Sequence, residues 1–480
     1  MTDIESRLRA AVLAGMPAAV SDLADLVRIP SVAFPGFPVA EVQRSATAVA
    51  ALLEETGVFD QVAVRTATVP DTGETGMPAV LATRAARPGL PTVLLYAHHD
   101  VQPVGEERLW DTPPFELTER DGRLYGRGSS DDKGGVVAHV AALRAVRDVL
   151  GDDLGVGLAV FIEGEEEAGS RSFAQFLHDN RQALAADLIV VADSANWDAQ
   201  TPGLTVSLRG NTRFTLTVRT LVHASHSGIY GGAVPDAMMA MITLLATLWA
   251  ESGGVAVEGL ATHQAATPPY QEDELRRDTG LLPGVSPVGS GEFLSRLWHQ
   301  PAITVTGIDA PSVANASNTI LPEVSVVISA RVAPGQSGAD AYRAIETHLR
   351  AHAPFGAELG FTDIDHGDGF LADTSGWAVQ LGKQALADGY GVEPVELGVG
   401  GSIPFIADLA RVFPRAAILV TAVGDPASRP HTPNESQSLA APRCHAGRGA
   451  AARPAQRCRV GECRQLTTSS KPAPTATALT

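Results

Sequence analysis

Cysteine is missing from the first 443 residues of this 480-residue chain; its three copies, Cys444, Cys458 and Cys463, all fall in the last tenth. The body therefore offers no disulfide and no thiolate ligand, so any metal there must be held by His, Asp and Glu. Basic charge is also scarce. The chain has 36 Lys and Arg against 54 Asp and Glu, a net charge of −18, which argues against a nucleic-acid surface, where basic side chains supply most of the affinity. No apolar run reaches the ~18–20 residues of a membrane span. The opening MTDIESRLRAAVLAGM mixes acids with bases and lacks the unbroken apolar core of a signal peptide. These absences predict a cytoplasmic protein with no membrane or nucleic-acid partner.

What is present is a repeated kind of strand ending. Val93–Ala97 runs into His98 and Asp100, Val156–Ile162 into Glu163–Glu167, and Leu188–Ala192 into Asp193; Ala416–Val423 is followed eight residues later by His431. Continuous apolar runs of this length read as buried parallel strands, and open α/β sheets bind ligands beyond the carboxyl ends of their strands. Four endings of one chemical kind predict one shared site.

The length predicts two or more domains, and 45% hydrophobic with 19% charged residues is a globular composition. Ile4–Val27, a segment from about Ala40 to Thr56, and Val136–Leu150 have helical spacing, and strand-like and helical runs alternate to about Ala199. That is the pattern of a mainly parallel sheet. From about Thr205 it changes: Leu204–Leu216 and Val324–Val332 alternate like half-buried strands, while Pro235–Ala250 and Ala339–Ala351 read as helices. Asp373–Ala387 and Ala416–Val423 return to the first pattern. The fold class expected is α/β, with a mainly parallel-sheet domain over 1–205 and 368–438 and an inserted smaller α+β domain over 206–367. Residues 439–480 hold seven Lys or Arg and one acid, whereas the preceding 438 hold 29 bases and 53 acids. This tail reads either as a disordered basic extension or as the product of a reading-frame shift near Ser436–Leu439.

Within the strand endings, residues i and i+2 of an extended chain share a face, so Asp100 can buttress the far ring nitrogen of His98, as carboxylates do for metal-bound imidazoles. The glycine-rich segment Leu124–Gly135 opens a helix. Its spacing fits neither phosphate-loop fingerprint, and Asp131 or Asp132 there is either a metal ligand or a helix cap. Glu165, Glu166 and Glu167 repel one another unless a cation lies near. Because adjacent side chains point apart, one of Glu166 and Glu167 can ligate while the other serves as general base. His98, Asp131, Glu167, Asp193 and His431 together exceed the needs of one tetrahedral ion and suit two ions sharing a carboxylate.

HHDVQP, LWDTPPF, DGRLYGRGSSDDKG, EGEEEAGS, HSGIYGG, GGSIP and HTPNE follow one another in this order. Over roughly residues 10–437 the chain resembles the dinuclear-zinc exopeptidase family of cytosolic nonspecific dipeptidase, carnosinase, glutamate carboxypeptidase, succinyl-diaminopimelate desuccinylase and acetylornithine deacetylase, and its dipeptidase branch most of all. The resemblance implies a metal-dependent dipeptidase, with an N-acyl-amino-acid deacylase or desuccinylase as the alternative. It implies two divalent ions per subunit, zinc before manganese or cobalt. His98, Asp131 and Asp193 would hold one and Asp131, Glu167 and His431 the other, with a cis peptide after the bridging Asp131. Glu166 would be the general acid/base. The insertion would be a lid that pairs subunits into a homodimer, carrying His226 to the neighbouring active site. Arg331, with Gly401 and Ser402, would meet the small peptide's terminal carboxylate, and Asn318 and His366 would lie near the substrate. The chain departs from the pattern at Ala224–Ser225, where the dipeptidase branch usually has Asp-Leu, and at Leu397–Val399, where many relatives carry Arg and Glu. Its tail also lacks the amphipathic helix relatives have after the HTPNE-like turn. The first two departures bear on substrate preference, the third on stability.

Overall fold

Parallel strands buried on both faces need near-continuous apolar sequence, and the centre of the first compact unit is built from such strands. The computed structural model describes residues 3–263, 267–401 and 404–439. Two units are present. The first comprises Met1–Leu204, Thr374–Val395 and the chain from Leu409 onward; the second comprises Thr205–Asp373 and Glu396–Asp408. The Glu396–Asp408 segment thus joins the second unit across a gap in sequence. The tail expected over 439–480 lies, from residue 440 onward, outside the described residues, as does Ser402.

In the first unit, strands Gly157–Glu163, Thr92–His98, Leu188–Val191 and Ala417–Thr421 lie side by side in that order, all parallel. Ala79–Arg84 and then Gln61–Arg65 extend the sheet antiparallel beyond Gly157–Glu163. Every residue of Gly157–Glu163 is buried, and so is Thr92–His98 after its first. Phe161 stacks on Phe176 at 4.5 Å and meets Tyr96 edge-on at 5.6 Å, which fixes the angle between sheet and helix. Register then sets the site. His98 pairs with Glu163, and Tyr96 pairs with Val191, so His98 and Asp193 come off the sheet at the same level. A three-stranded antiparallel sheet, Ser436–Ser438, Arg123–Tyr125 and Thr118–Arg120, ties residues from the end of the described chain to its first third.

The expected helix at Val136 begins a turn earlier, spanning Lys133–Leu150, because the Asp132 carboxylate accepts from the Gly135 amide and caps it. Its apolar face buries Val136, Val140, Leu143 and Val146, each contributing about 1.5–3 kcal/mol by leaving water. Lys133 is also buried. Its ammonium donates to the carbonyls of Leu26 (2.9 Å) and Ile29 (2.6 Å), pinning the end of the Asp3–Val27 helix. The expectation that no segment has membrane-spanning length needs correction. Asp3–Val27 is long and apolar enough by length and composition, because Asp22 and Asp25 are the sole charges over residues 10–27. In the structure it packs along Lys133–Leu150, and Asp22 pairs with Arg144.

In the second unit, strands Ala302–Asp309, Glu323–Val332, Gly210–Arg219 and Glu358–Gly367 form an antiparallel sheet in that order. Ala237–Ala246 and Gly338–Ala351 cover its apolar face, enclosing Phe214, Leu216, Met241, Leu244, Ile328 and Ile345. The single strand expected over Leu204–Leu216 is two strands, Gly203–Leu208 and Gly210–Arg219, broken at Arg209.

Candidate metal centre

The cluster begins at the carboxyl ends of three adjacent strands. His98 closes its strand, Asp193 lies two residues past Val191, and the Glu163–Glu167 turn leaves the end of Gly157–Glu163. Asp131 enters from the glycine-rich turn and His431 from a loop after the Ala417–Thr421 strand. His98 Nε2 lies 3.1 Å from Asp131 Oδ1 and 4.0 Å from Asp193 Oδ2. His431 Nε2 lies 3.0 Å from Asp131 Oδ2 and 3.1 Å from Glu167 Oε2. The two oxygens of Asp131 therefore face different imidazoles. Two groups result, His98–Asp131–Asp193 and Asp131–Glu167–His431, and within each the potential ligand atoms lie inside 4.8 Å of one another.

The surrounding groups hold this arrangement in place. Asp131 and Asp132, equivalent on paper, separate: Asp131 joins the cluster, and Asp132 caps the helix and accepts from the His98 amide at 3.2 Å. The peptide bond between them is cis. Asp100 lies beside His98 as expected, with Oδ1 3.4 Å and its backbone oxygen 3.1 Å from Nδ1. Its carboxylate has a second use that the sequence did not suggest, accepting the amides of Glu166 and Glu167 at 3.1 Å each. It thus fixes the turn that carries both acids. Gln102 donates to Glu167 Oε2 at 2.7 Å.

Sequence reasoning gave Glu435 no role, although it closes the HTPNE segment. Fully buried, its Oε1 accepts from the amides of Ser130 (2.9 Å) and Asp131 (3.0 Å), and its Oε2 from Gly128 N (3.0 Å) and Arg127 Nη1 (2.5 Å). One carboxylate thus sets the backbone of Asp131, the residue common to both groups. The same segment holds His431 in the left-handed region at φ +62°, between Arg429 at +54° and Asn434 at +64°. Such values are strained for residues other than glycine. Asn434 anchors the loop by accepting from Asp111 N (2.9 Å) and donating to Leu109 O (3.1 Å).

Charge accumulates here without enough countercharge. Burial pushes Asp131 up, but hydrogen bonds from His431 and His98 outweigh it and hold the carboxyl well below its usual range. Those same contacts, first Asp131 and then Glu167, raise His431 to about 10. Burial raises Asp193 to about 7 and Glu166 well above an ordinary glutamate. Glu166 Oε2 stands 4.0 Å from His98 Nε2. Four half-buried acids against two imidazoles, one buried and one exposed, make a donor set suited to divalent cations.

The remaining expected residues belong to the second unit. His226 pairs with Thr319 in a two-residue ladder, and the Asn318 carbonyl accepts from Ser227 N at 3.0 Å. His226 and Asn318 are therefore neighbours, both exposed. Gly228 N donates to His226 Nδ1 at 3.0 Å. Arg331 pairs with Asn211, and His366 with Thr212, at one end of the antiparallel sheet. Gly401 lies in the Glu396–Asp408 segment.

Among curated relatives, cysteinylglycine-S-conjugate dipeptidase of Corynebacterium striatum is 38% identical over 351 residues, 72% of this chain and 77% of the relative. Cys-Gly metallodipeptidase dug1 of Schizosaccharomyces pombe is 28% identical over 379 residues, 75% and 79% of the two chains. Beta-Ala-His dipeptidase of Rattus norvegicus is 28% identical over 378, 75% of each. Human carnosine dipeptidase 1 shares the fold at TM-score 0.71 and 23% identity, covering 95% of this chain and 99% of that one. Dug1p of Saccharomyces cerevisiae does so at 0.73 and 22%, with the same coverage. Residues 94–445 match the description peptidase family M20/M25/M40, and with nearly three quarters of its length inside that match the chain belongs to this family.

Proposed function

We propose that this protein is a metal-dependent dipeptidase using two divalent ions, zinc in the first place. The single observation that carries the reading is the pair of three-ligand groups sharing Asp131, with Glu166 beside them. The dipeptidase relatives supply the substrate class. Bound ions supply Lewis acidity and a water of lowered pKa.

With the ions in place, Glu166 would take a proton from the attacking water and pass it to the leaving amine. Burial raises its pKa above that of an ordinary glutamate, the direction a proton carrier requires. Asp100 keeps Glu166 and Glu167 in register through their amides, and Glu435 does the same for Asp131. By the resemblance, the insertion over about 206–367 is a lid and dimerisation domain, and the partner's His226 polarises the scissile carbonyl. Arg331, with Gly401 and Ser402, receives the peptide's carboxylate, and Asn318 and His366 contact substrate. A cytoplasmic homodimer completes the proposal.

The test is a panel of dipeptides set against N-acyl-amino acids, with chelator and metal add-back. Turnover of dipeptides that is lost on chelation and restored by metal is the expected result. Turnover of acyl-amino acids alone would replace dipeptidase by deacylase, and turnover unaffected by chelation would overturn the metal reading.

A further inference from the structure

Arg209, at the break between the Gly203–Leu208 and Gly210–Arg219 strands, is only 8% exposed, yet it meets no carboxylate among the described residues. Its Nε donates to Gly400 O at 2.9 Å and its Nη1 to Gln300 O at 3.2 Å, while its backbone amide donates to Val399 O at 3.2 Å. Nη2 has no hydrogen-bond partner among the described residues. Carbonyl groups satisfy donors but do not neutralise a charge, so a nearly buried cation is left uncompensated, an expensive arrangement.

Two features suggest what that cost serves. The first is crowding at the loop Arg209 holds. A Cβ on Gly400 would sit 2.9 Å from Arg209 Nη2 and 2.9 Å from Leu297 O, and one on Gly398 would sit 2.6 Å from Trp298 Cβ and 2.8 Å from Ser207 Oγ. The stretch leading into Gly401 is thus pressed between Arg209 and the Phe293–His299 helix. The second is register. Arg331 pairs with Asn211 on one side and Ala302 on the other. Arg209 lies two residues before Asn211, and Gln300 two residues before Ala302, so both arginines occupy the same end of the sheet. Burial first, and repulsion by Arg331 second, bring the Arg209 guanidinium down to about 10, still cationic at neutral pH.

We infer that Arg209 is a positioning residue for carboxylate recognition: it clamps the Gly400–Gly401 turn and fixes a second positive charge beside Arg331. The inference rests on the proposed role of Arg331 and Gly401 toward the peptide carboxylate. A merely structural arginine would hold the turn without favouring an anion, and the two cases differ in their response to substrate charge.

The experiment compares the full-length, metal-loaded wild type with Arg209→Met and Arg209→Lys on cysteinylglycine and its C-terminal amide. Losing a charge-assisted contact should raise KM for the free acid about ten- to hundred-fold with kcat within about threefold. KM for the amide should move far less, and lysine should recover part of the loss. Gly400→Ala, which forces the same contact apart, should reproduce the pattern even if Arg209→Met does not fold. Equal losses on acid and amide, or no change in KM for the acid, would overturn the inference while leaving the dipeptidase reading intact. If wild type instead cleaves only N-acyl-amino acids, the dipeptidase reading fails, and the same acid–amide comparison on those substrates decides the role of Arg209. If nothing is cleaved, calorimetric binding of acid against amide decides it.

Discussion

Replacing Glu435 by glutamine changes one atom and should undo the metal centre from behind. The carboxylate accepts two donors on each oxygen: Ser130 N and Asp131 N on Oε1, Gly128 N and Arg127 Nη1 on Oε2. In either orientation of the amide, the NH2 group faces two of those four donors. Each buried donor left without an acceptor costs about 1–3 kcal/mol. Arg127, 1% exposed, also becomes a buried cation without a counterion, and breaking such a pair costs about 3–5 kcal/mol in all. These figures describe overlapping losses, so the expected destabilisation of the chelated protein is about 3–5 kcal/mol rather than their sum. The displaced Asp131 backbone should weaken metal binding about 10- to 100-fold, as loss of supporting contacts typically does. Denaturant unfolding of the chelated protein measures the first quantity, and metal titration against a chelating indicator measures the second. A double variant, Arg127→Met with Glu435→Gln, should recover part of the stability, because an unpaired cation is removed. A single variant within about 0.5 kcal/mol of wild type, with unchanged metal affinity, would refute the account of Glu435.

Four further outcomes are expected. Glu166→Gln should retain both metals by elemental analysis and lose about 10²–10⁴ in kcat, the usual worth of a positioned proton carrier; near wild-type turnover would remove Glu166 from the mechanism. Asp131→Asn should lower occupancy at both metal positions, whereas Glu167→Gln should lower one, because Asp131 alone belongs to both groups; equal stoichiometry in the two variants would count against bridging. In the metal-free protein His431 is raised from 6.5 to about 10 by Asp131 and Glu167. Its stabilising contribution is then complete below pH 6.5 and is lost as pH rises through about 10, so chelated protein should lose stability across that window more steeply than loaded protein, in which the imidazole must be neutral to ligate. Metal binding at pH 8 should also release protons, seen as a buffer-dependent heat in calorimetry; buffer-independent heats would contradict this.

Part of the cluster was legible because three of its members follow apolar strands, and adjacent parallel strands bring their ends to one edge whatever the loops do. His98, Asp193 and Glu167 needed only that rule. Residue type and spacing alone left Asp131 and Asp132 equivalent, since adjacent acids at a helix start look alike until the backbone assigns one to the cap; the resemblance chose Asp131. Glu435 and the second use of Asp100 stayed hidden for a common reason. Their partners are main-chain amides, which carry no residue identity and hence no trace in the sequence. The break at Arg209 was missed because alternation of polar and apolar residues continues across it. The apolar character of Asp3–Val27 was underestimated because charges at its start and two acids near its end shorten the run without much lowering its average hydropathy.

The contact between Asp131 and Glu435 spans 304 positions, and it has a temporal consequence. At about 5–20 residues per second on the ribosome, roughly 15–60 s separate the synthesis of Asp131 from that of the Glu435 carboxylate that orients it. An ion meeting the emerging protein in that interval would find His98, Asp131, Glu167 and Asp193 but not His431 or its scaffold. The second of the two three-residue groups is therefore incomplete until translation has passed the four-hundred-and-thirties.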